Sequence, residues 1–293
     1  MPASRKIEGA GLGLRREMLP ELNDEILAQV DFWEVAPENW IPLGGKFARQ
    51  LAELTHSHSF STHGLSLSIG SSDPLDIDLL KRIKAFLKQH QISLYSEHLS
   101  FCSHQGHMYD LMPIPFTEEA VKHVSKRIRQ AQDILEQPLV LENVSYYLAP
   151  FQQLSELDFI CAVLEESGCK MLLDVNNVYV NSINHNYVPK PFIQALPSDA
   201  IVYGHIAGHY DEADDLKVDT HGADIIEPVW DLLKFAYDCH GVFPTLLERD
   251  FNIPPLTELV KDVERIRHIQ QAVEKASAEF NCGRHLDTTV ERA

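Results

Sequence analysis

The stretch Val202–Gly222 reads VYGHIAGHYDEADDLKVDTHG. It begins as a run of apolar and small residues suited to a buried strand, and then places His205, His209, Asp219 and His221 in and just after that run. A strand that ends in proton- and metal-binding groups is the pattern of a parallel α/β barrel, where function collects at the carboxyl ends of the strands. The same pattern recurs on both sides. Upstream lie GAGLGL with its core at 10–14, FWEVA (32–36), FSTHG (60–64), SLYSEHL (93–99), LVLENV (139–144) and KMLLDV (170–175). Downstream lies TLLERD (245–250). With IVYGHIA (201–207), these are eight β-like runs.

Segments of helical period separate them. From Thr117 onward, Val121, Val124, Ile128, Ala131 and Leu135 form one apolar stripe. Thr117 suits the N-cap, and Glu118 and Glu119 suit the positive end of the helix dipole. A second helix is expected to start at Ser155, with Asp158 three residues on, and to stop at Gly168. Leu79, Leu80, Ile83, Phe86 and Leu87 mark a third. Eight strand–helix alternations predict a single (β/α)8 TIM-barrel domain over 1–293, with about 9–275 forming the barrel. The polar chain beyond Ala276 is expected to be loosely ordered, as are the termini generally.

Bulk properties narrow the function. The chain has 293 residues, 44% of them hydrophobic and 23% charged, which is enough apolar material for a large core. No apolar run approaches the ~20 residues of a membrane span, and no signal-like segment opens the chain, so a cytoplasmic protein away from membranes is expected. Against 43 Asp and Glu stand 25 Lys and Arg, a formal net charge of −18. Such a field repels phosphate backbones, so nucleic acid is not an expected partner. The five cysteines form no CxxC pair; their scatter points to reduced, mostly buried thiols. Cys102 is set apart because it opens a long connection.

The last residues of the predicted strands are Glu34, His63, His98, Glu142, Asp174, His205 and Glu248, with Asn177, Asp219 and His221 on adjoining loops. A lone histidine in an apolar context is usually a satisfied core residue. Independent core residues have no reason to fall repeatedly at one level of a barrel. Gathering that many carboxylates costs repulsion unless cations neutralise it. His63, His98, Glu142, Asp174, Asn177, His205, Asp219, His221 and Glu248 exceed what one ion accepts, so more than one is expected. Nitrogen and oxygen donors without thiolate suit iron, manganese or zinc, and composition does not choose among them.

The segments EVAPENW (34–40), THGLSLSIG (62–70), SEHLSF (96–101), DLMPIPFTEEA (110–120), LENVSYY (141–147), LDVNNVYVNS (173–182), GHIAGH (204–209), DTHG (219–222) and LLERDFNIP (246–254) carry a resemblance. Together they resemble the multinuclear non-heme iron-dependent oxidative enzymes, a family long uncharacterised that includes the catalytic subunit of methanobactin synthase. The resemblance implies a barrel of the xylose-isomerase type holding two or three iron ions. Carried over by position, it implies one iron at His63 and His98 with Glu142 as a bridge. A second iron would use Glu142, Asp174, His205 and Glu248, and a third Asn177, Asp219 and His221. Turnover is then expected to depend on Glu142, Asp219 and His221. His209, Arg249, His104 and His107 are expected to support ligands or touch substrate. The resemblance further implies O2-dependent oxidation of cysteine in a ribosomally made precursor peptide, with hydrogen taken from the cysteine β-carbon. A separate protein that recognises the peptide leader is the implied partner.

Rival readings use the same architecture. An endonuclease IV-like hydrolase would bind three zinc ions, but Asn177 stands where that pattern favours His, and the charge is wrong for DNA. A sugar isomerase binds paired divalent ions through carboxylates and His. A non-catalytic scaffold needs no ring of ligands. The seventeen-residue segment Ser100–Phe116 is read as a loop, a lid carrying His104, His107 and Tyr109 toward substrate. His56 and His58 are read as a solvated helix end, and Glu34, Glu38 and Asn39 as supports.

Overall fold

Eight short parallel strands close into a ring in sequence order: β1 (Ala10–Gly13), β2 (Phe32–Val35), β3 (Ser59–His63), β4 (Tyr95–His98), β5 (Val140–Glu142), β6 (Lys170–Asp174), β7 (Ile201–Ile206) and β8 (Thr245–Leu247). Pairing of β1 with β8 through Ala10↔Thr245 seals the barrel and leaves no edge. The computed structural model describes residues 5–149 and 151–287, with side chains through 279. All eight expected strands are present, and helices cover the outside of the ring.

The helices start and stop where side chains satisfy the free backbone groups. Thr117 Oγ1 accepts from Ala120 N at 3.1 Å and opens the helix Glu118–Leu135. Ser155 Oγ accepts from Asp158 N at 3.1 Å, and the helix Glu156–Ser167 ends on Gly168 at φ 68°. In the first of these helices Val124, Ile128 and Ala131 are fully buried, so the apolar stripe faces the barrel. The last helix runs Leu256–Asp287. The stretch expected to be loosely ordered after Ala276 is helical as far as Asp287, and its remainder, 288–293, lies outside the described residues.

The segment read as a structureless loop is instead an antiparallel hairpin, Ser100–Ser103 with His107–Pro113, and this corrects that expectation. Its outer strand is largely exposed, so it lacks the half-buried alternation by which a strand announces itself. A second small hairpin, Tyr210–Ala213 with Leu216–Val218, follows β7. Cys102 is buried in the first hairpin with its Sγ 3.6 Å from Leu65 O, and burial pushes its thiol pKa up. Among the described residues no helix is long and apolar enough to cross a membrane.

Candidate metal centre

Register sets the level of the centre. His98 pairs with Glu142 across β4 and β5, and Asp174 with His205 across β6 and β7, so these side chains leave the ring at one height. His63 Nε2 lies 3.1 Å from His98 Nε2 and 3.1 Å from Glu142 Oε2, and His98 Nε2 lies 3.4 Å from the same oxygen. These three form one group of converging donor atoms. Glu142, Asp174, His205 and Glu248 form a second. Glu142 belongs to both.

A third group joins His221, Glu248 and Asp250. His221 Nδ1 is 3.5 Å from Glu248 Oε2 and 3.2 Å from Asp250 Oδ2, while its Nε2 is 2.7 Å from Asp219 Oδ1. Asp219 and His221 therefore meet, with His221 in the left-handed region at φ 49°. Left-handed backbone at a histidine is uncommon and often marks a functional position. Asn177 lies beside Glu142, with Nδ2 donating to Glu142 Oε1 at 3.2 Å.

The donor atoms test whether cations fit here. Asp174 Oδ2 and Asn177 Oδ1 are buried without a polar partner, while Glu142 Oε2, both ring nitrogens of His205 and His221 Nε2 lie within 3.1 Å of imidazole or carboxylate atoms without hydrogen-bond geometry. Native proteins seldom leave buried polar atoms unmatched, and cations among these converging donors would match them. Protein charges alone balance the site poorly. Burial and repulsion from Glu142 hold the Asp174 pKa well above the ordinary carboxyl value. Burial opposes the charged form of His98, yet Glu97 and Glu142 outweigh it and raise the pKa to about 9. His205 likewise stays well above the usual histidine value, against burial, because Glu34 and Glu248 flank it. The residues fit two or three divalent ions, with nitrogen and oxygen donors and no thiolate.

Supporting contacts fix the donors. His63 Nδ1 meets Ser96 Oγ at 2.8 Å, Ser96 Oγ meets Tyr203 OH at 2.5 Å, and Tyr203 OH donates to Glu34 Oε2 at 3.0 Å. Glu34 Oε1 in turn lies 3.0 Å from His205 Nε2. Orientation of a ligating histidine through its other nitrogen is a general device. His209 is buried and supports from behind: its Nδ1 meets Asn176 Oδ1 at 2.8 Å, and Asn176 Nδ2 donates to Asp219 Oδ1 at 3.0 Å. Arg249 bonds the carbonyls of Ala223, Phe251 and Asn252, joining two loops rather than reaching Glu248. Arg15 does reach it, with Nη2 3.6 Å from Glu248 Oε1 and Nε donating to Asp250 Oδ1 at 3.1 Å. His104 sits at the hairpin turn beside Ser72 and Asp73, and His107 lines a neighbouring cavity.

Sequence reading passed over Arg15, Ser96, Asn176 and Tyr203. Each is an ordinary residue type whose role arises only across the closed ring.

A family profile described as RiPP precursor modification enzyme MbnB/TglH/ChrH matches residues 9–271. A UPF0276 protein of Shewanella amazonensis is 61% identical over 268 residues, covering 92% of this chain and 96% of its own length. One from Nitrosospira multiformis is 60% identical over 266 residues, covering 90% and 94%. Among solved structures, an L-ribulose 3-epimerase superposes with TM-score 0.60 at 12% identity, covering 92% of this chain and 98% of its own. A D-psicose 3-epimerase gives 0.57, also at 12% identity, with the same coverage. These last likenesses are of fold, that of the xylose-isomerase-like TIM barrels.

Proposed function

The chain belongs to the MbnB/TglH/ChrH family of RiPP precursor modification enzymes, and from that premise we propose that it is an iron-dependent, O2-using oxidase of peptidyl cysteine. The observation that carries this reading is the pair of donor groups sharing Glu142, whose ligand atoms converge within 4.8 Å in each group and include the buried, unpartnered Asp174 Oδ2. Glu142 would serve an ion in each of the two groups. His63 and His98 would hold the first iron, and Asp174, His205 and Glu248 the second. His221 and Asp219 would hold a third, with Asn177 or Asp250 completing its set. When bound, iron supplies thiolate binding and electron transfer to O2.

The protein's own residues do the rest. The Glu34–Tyr203–Ser96 chain holds His63 and His205 in fixed orientations. Glu142 spaces the two donor groups. The cleft above opens between Ala36, Leu65, Leu111 and Phe251, a cavity of about 360 Å³ that admits a side chain. The substrate is a Cys-bearing precursor peptide, presented by a separate leader-binding protein in the cytoplasm.

Anaerobic titration of the iron-loaded protein with a Cys peptide tests the reading. The iron spectrum is expected to change before O2 is added, and O2 should then be consumed with loss of hydrogen mass from the peptide. An unchanged spectrum, or equal O2 uptake with a Ser peptide, would exclude it.

A further inference from the structure

Among the described residues that line the metal cleft, Arg15 alone is a lysine or arginine. Charge does not explain its place. A fixed cation beside donor groups that gather cations opposes their loading. Its contacts supply a different reason.

The backbone of Arg15 is anchored just past β1. Met18 N donates to Arg15 O at 3.0 Å, Arg15 N donates to Met18 Sδ at 3.4 Å, and Met18 is buried in the core. From this anchor the guanidinium crosses the seam where β1 meets β8. Nε donates to Asp250 Oδ1 at 3.1 Å, and Nη2 bonds the same oxygen. Asp250 thereby presents its other oxygen, Oδ2, to His221 Nδ1 at 3.2 Å. Asp250 N also donates to His221 O at 2.9 Å, so the loops that follow β7 and β8 are tied at the backbone as well.

These contacts set which nitrogen of His221 faces the donor cluster. Nε2 lies 2.7 Å from Asp219 Oδ1, without hydrogen-bond geometry. An imidazole that gives Nε2 to a cation keeps its proton on Nδ1, and a carboxylate is a suitable acceptor for it. Asp250 can serve only while its carboxylate is kept from turning. Its side chain is 35% exposed against 13% for His221, so water competes for it. Two N–H groups on Oδ1 prevent that rotation.

We infer that Arg15 is a positioning residue for the peripheral ion: it locks Asp250, and Asp250 holds His221 with Nδ1 donating and Nε2 turned toward Asp219. The inference rests on the reading above in which His221 and Asp219 hold a third ion. It needs neither the peptide nor O2.

The test titrates metal-free protein with ferrous iron, anaerobically and without peptide, and follows stepwise binding by chelator competition. Arg15→Met removes both fork and charge, whereas Arg15→Lys keeps the charge and loses the fork. Positioning predicts that each weakens the last ion by about tenfold or more, as loss of an outer support does, while the first two ions bind as in the wild type. A role of charge alone predicts the opposite sign: tighter binding in Arg15→Met and no change in Arg15→Lys. Either of those results would overturn the inference, as would equal weakening of all the ions. Because Arg15 acts through Asp250, adding Arg15→Met to Asp250→Asn should cost less than about threefold more. A full second loss would show that it acts elsewhere. A wild type that never takes a third ion would also end the inference, but it leaves cysteine oxidation to its own test, the spectral response to a Cys peptide.

Discussion

At the scale of single residues, Glu142 carries more of the centre than any other side chain. One of its oxygens meets His63 and His98, the other accepts from Asn177, and it shares a donor group with Asp174, His205 and Glu248. Glu142→Gln removes the charge while keeping the shape. Metal content should fall at both adjoining positions and turnover by more than about a hundredfold, since even outer supports of a metal site cost that much. Metal analysis checks this, with circular dichroism unchanged; full metal retention would remove the bridge. His221 stands at the periphery of the cluster. His221→Ala should lose one ion and retain the others, read as iron per chain and by spectroscopy. Comparing Asn177→Ala with Asp250→Asn then identifies which residue completes its set. Much of this was legible in sequence because strand ends in a barrel share a level, so His63, His98, Glu142, Asp174 and His205 declared themselves by position. The third group was not, because loop geometry decides it. Asp219 and His221 meet through a left-handed backbone turn that spacing does not encode.

At the scale of elements, the strands and the capped helices were legible because their signals are local: a polar cap, an apolar stripe, a terminal glycine. The hairpin over Ser100–Pro113 was not, since a two-stranded ribbon buries little and its outer strand keeps few apolar positions inward. The helix Glu156–Ser167 carries a testable consequence at its first residue. Glu156 accepts from Tyr146 OH at 3.1 Å and Asn181 Nδ2 at 3.1 Å, but burial outweighs those bonds and raises its pKa from 4.5 to about 7. The folded protein therefore holds a proton there that the unfolded chain has released between about pH 4.5 and 7. Stability from this group is fully present below pH 4.5 and is lost as pH rises through about 7. The loss amounts to roughly 3 kcal/mol at about 1.4 kcal/mol per unit. Glu156→Gln should abolish that part of the slope and be the more stable protein at pH 8. Urea denaturation at several pH values, at fixed metal content, reads the difference, and parallel curves would refute it.

At the scale of the whole molecule, closure of the ring creates what no segment contains. Tyr203 reaches Glu34 across 169 residues, and Arg15 reaches Asp250 across 235. Both contacts exist only because β1 seals against β8. The barrel level was readable as a pattern of residue types, whereas the partners that brace it depend on the circumference and tilt of the closed sheet. A net charge of −18 adds a further consequence: the protein's field attracts cations and disfavours polyanions, which accords with metal loading rather than a nucleic acid. The converging donor groups also make one stoichiometry decisive. Protein purified without oxygen and loaded with ferrous iron should retain at least two ions per chain after exhaustive desalting, with magnetic coupling visible in its Mössbauer spectrum. Retention of at most one ion, uncoupled, would contradict a polynuclear centre.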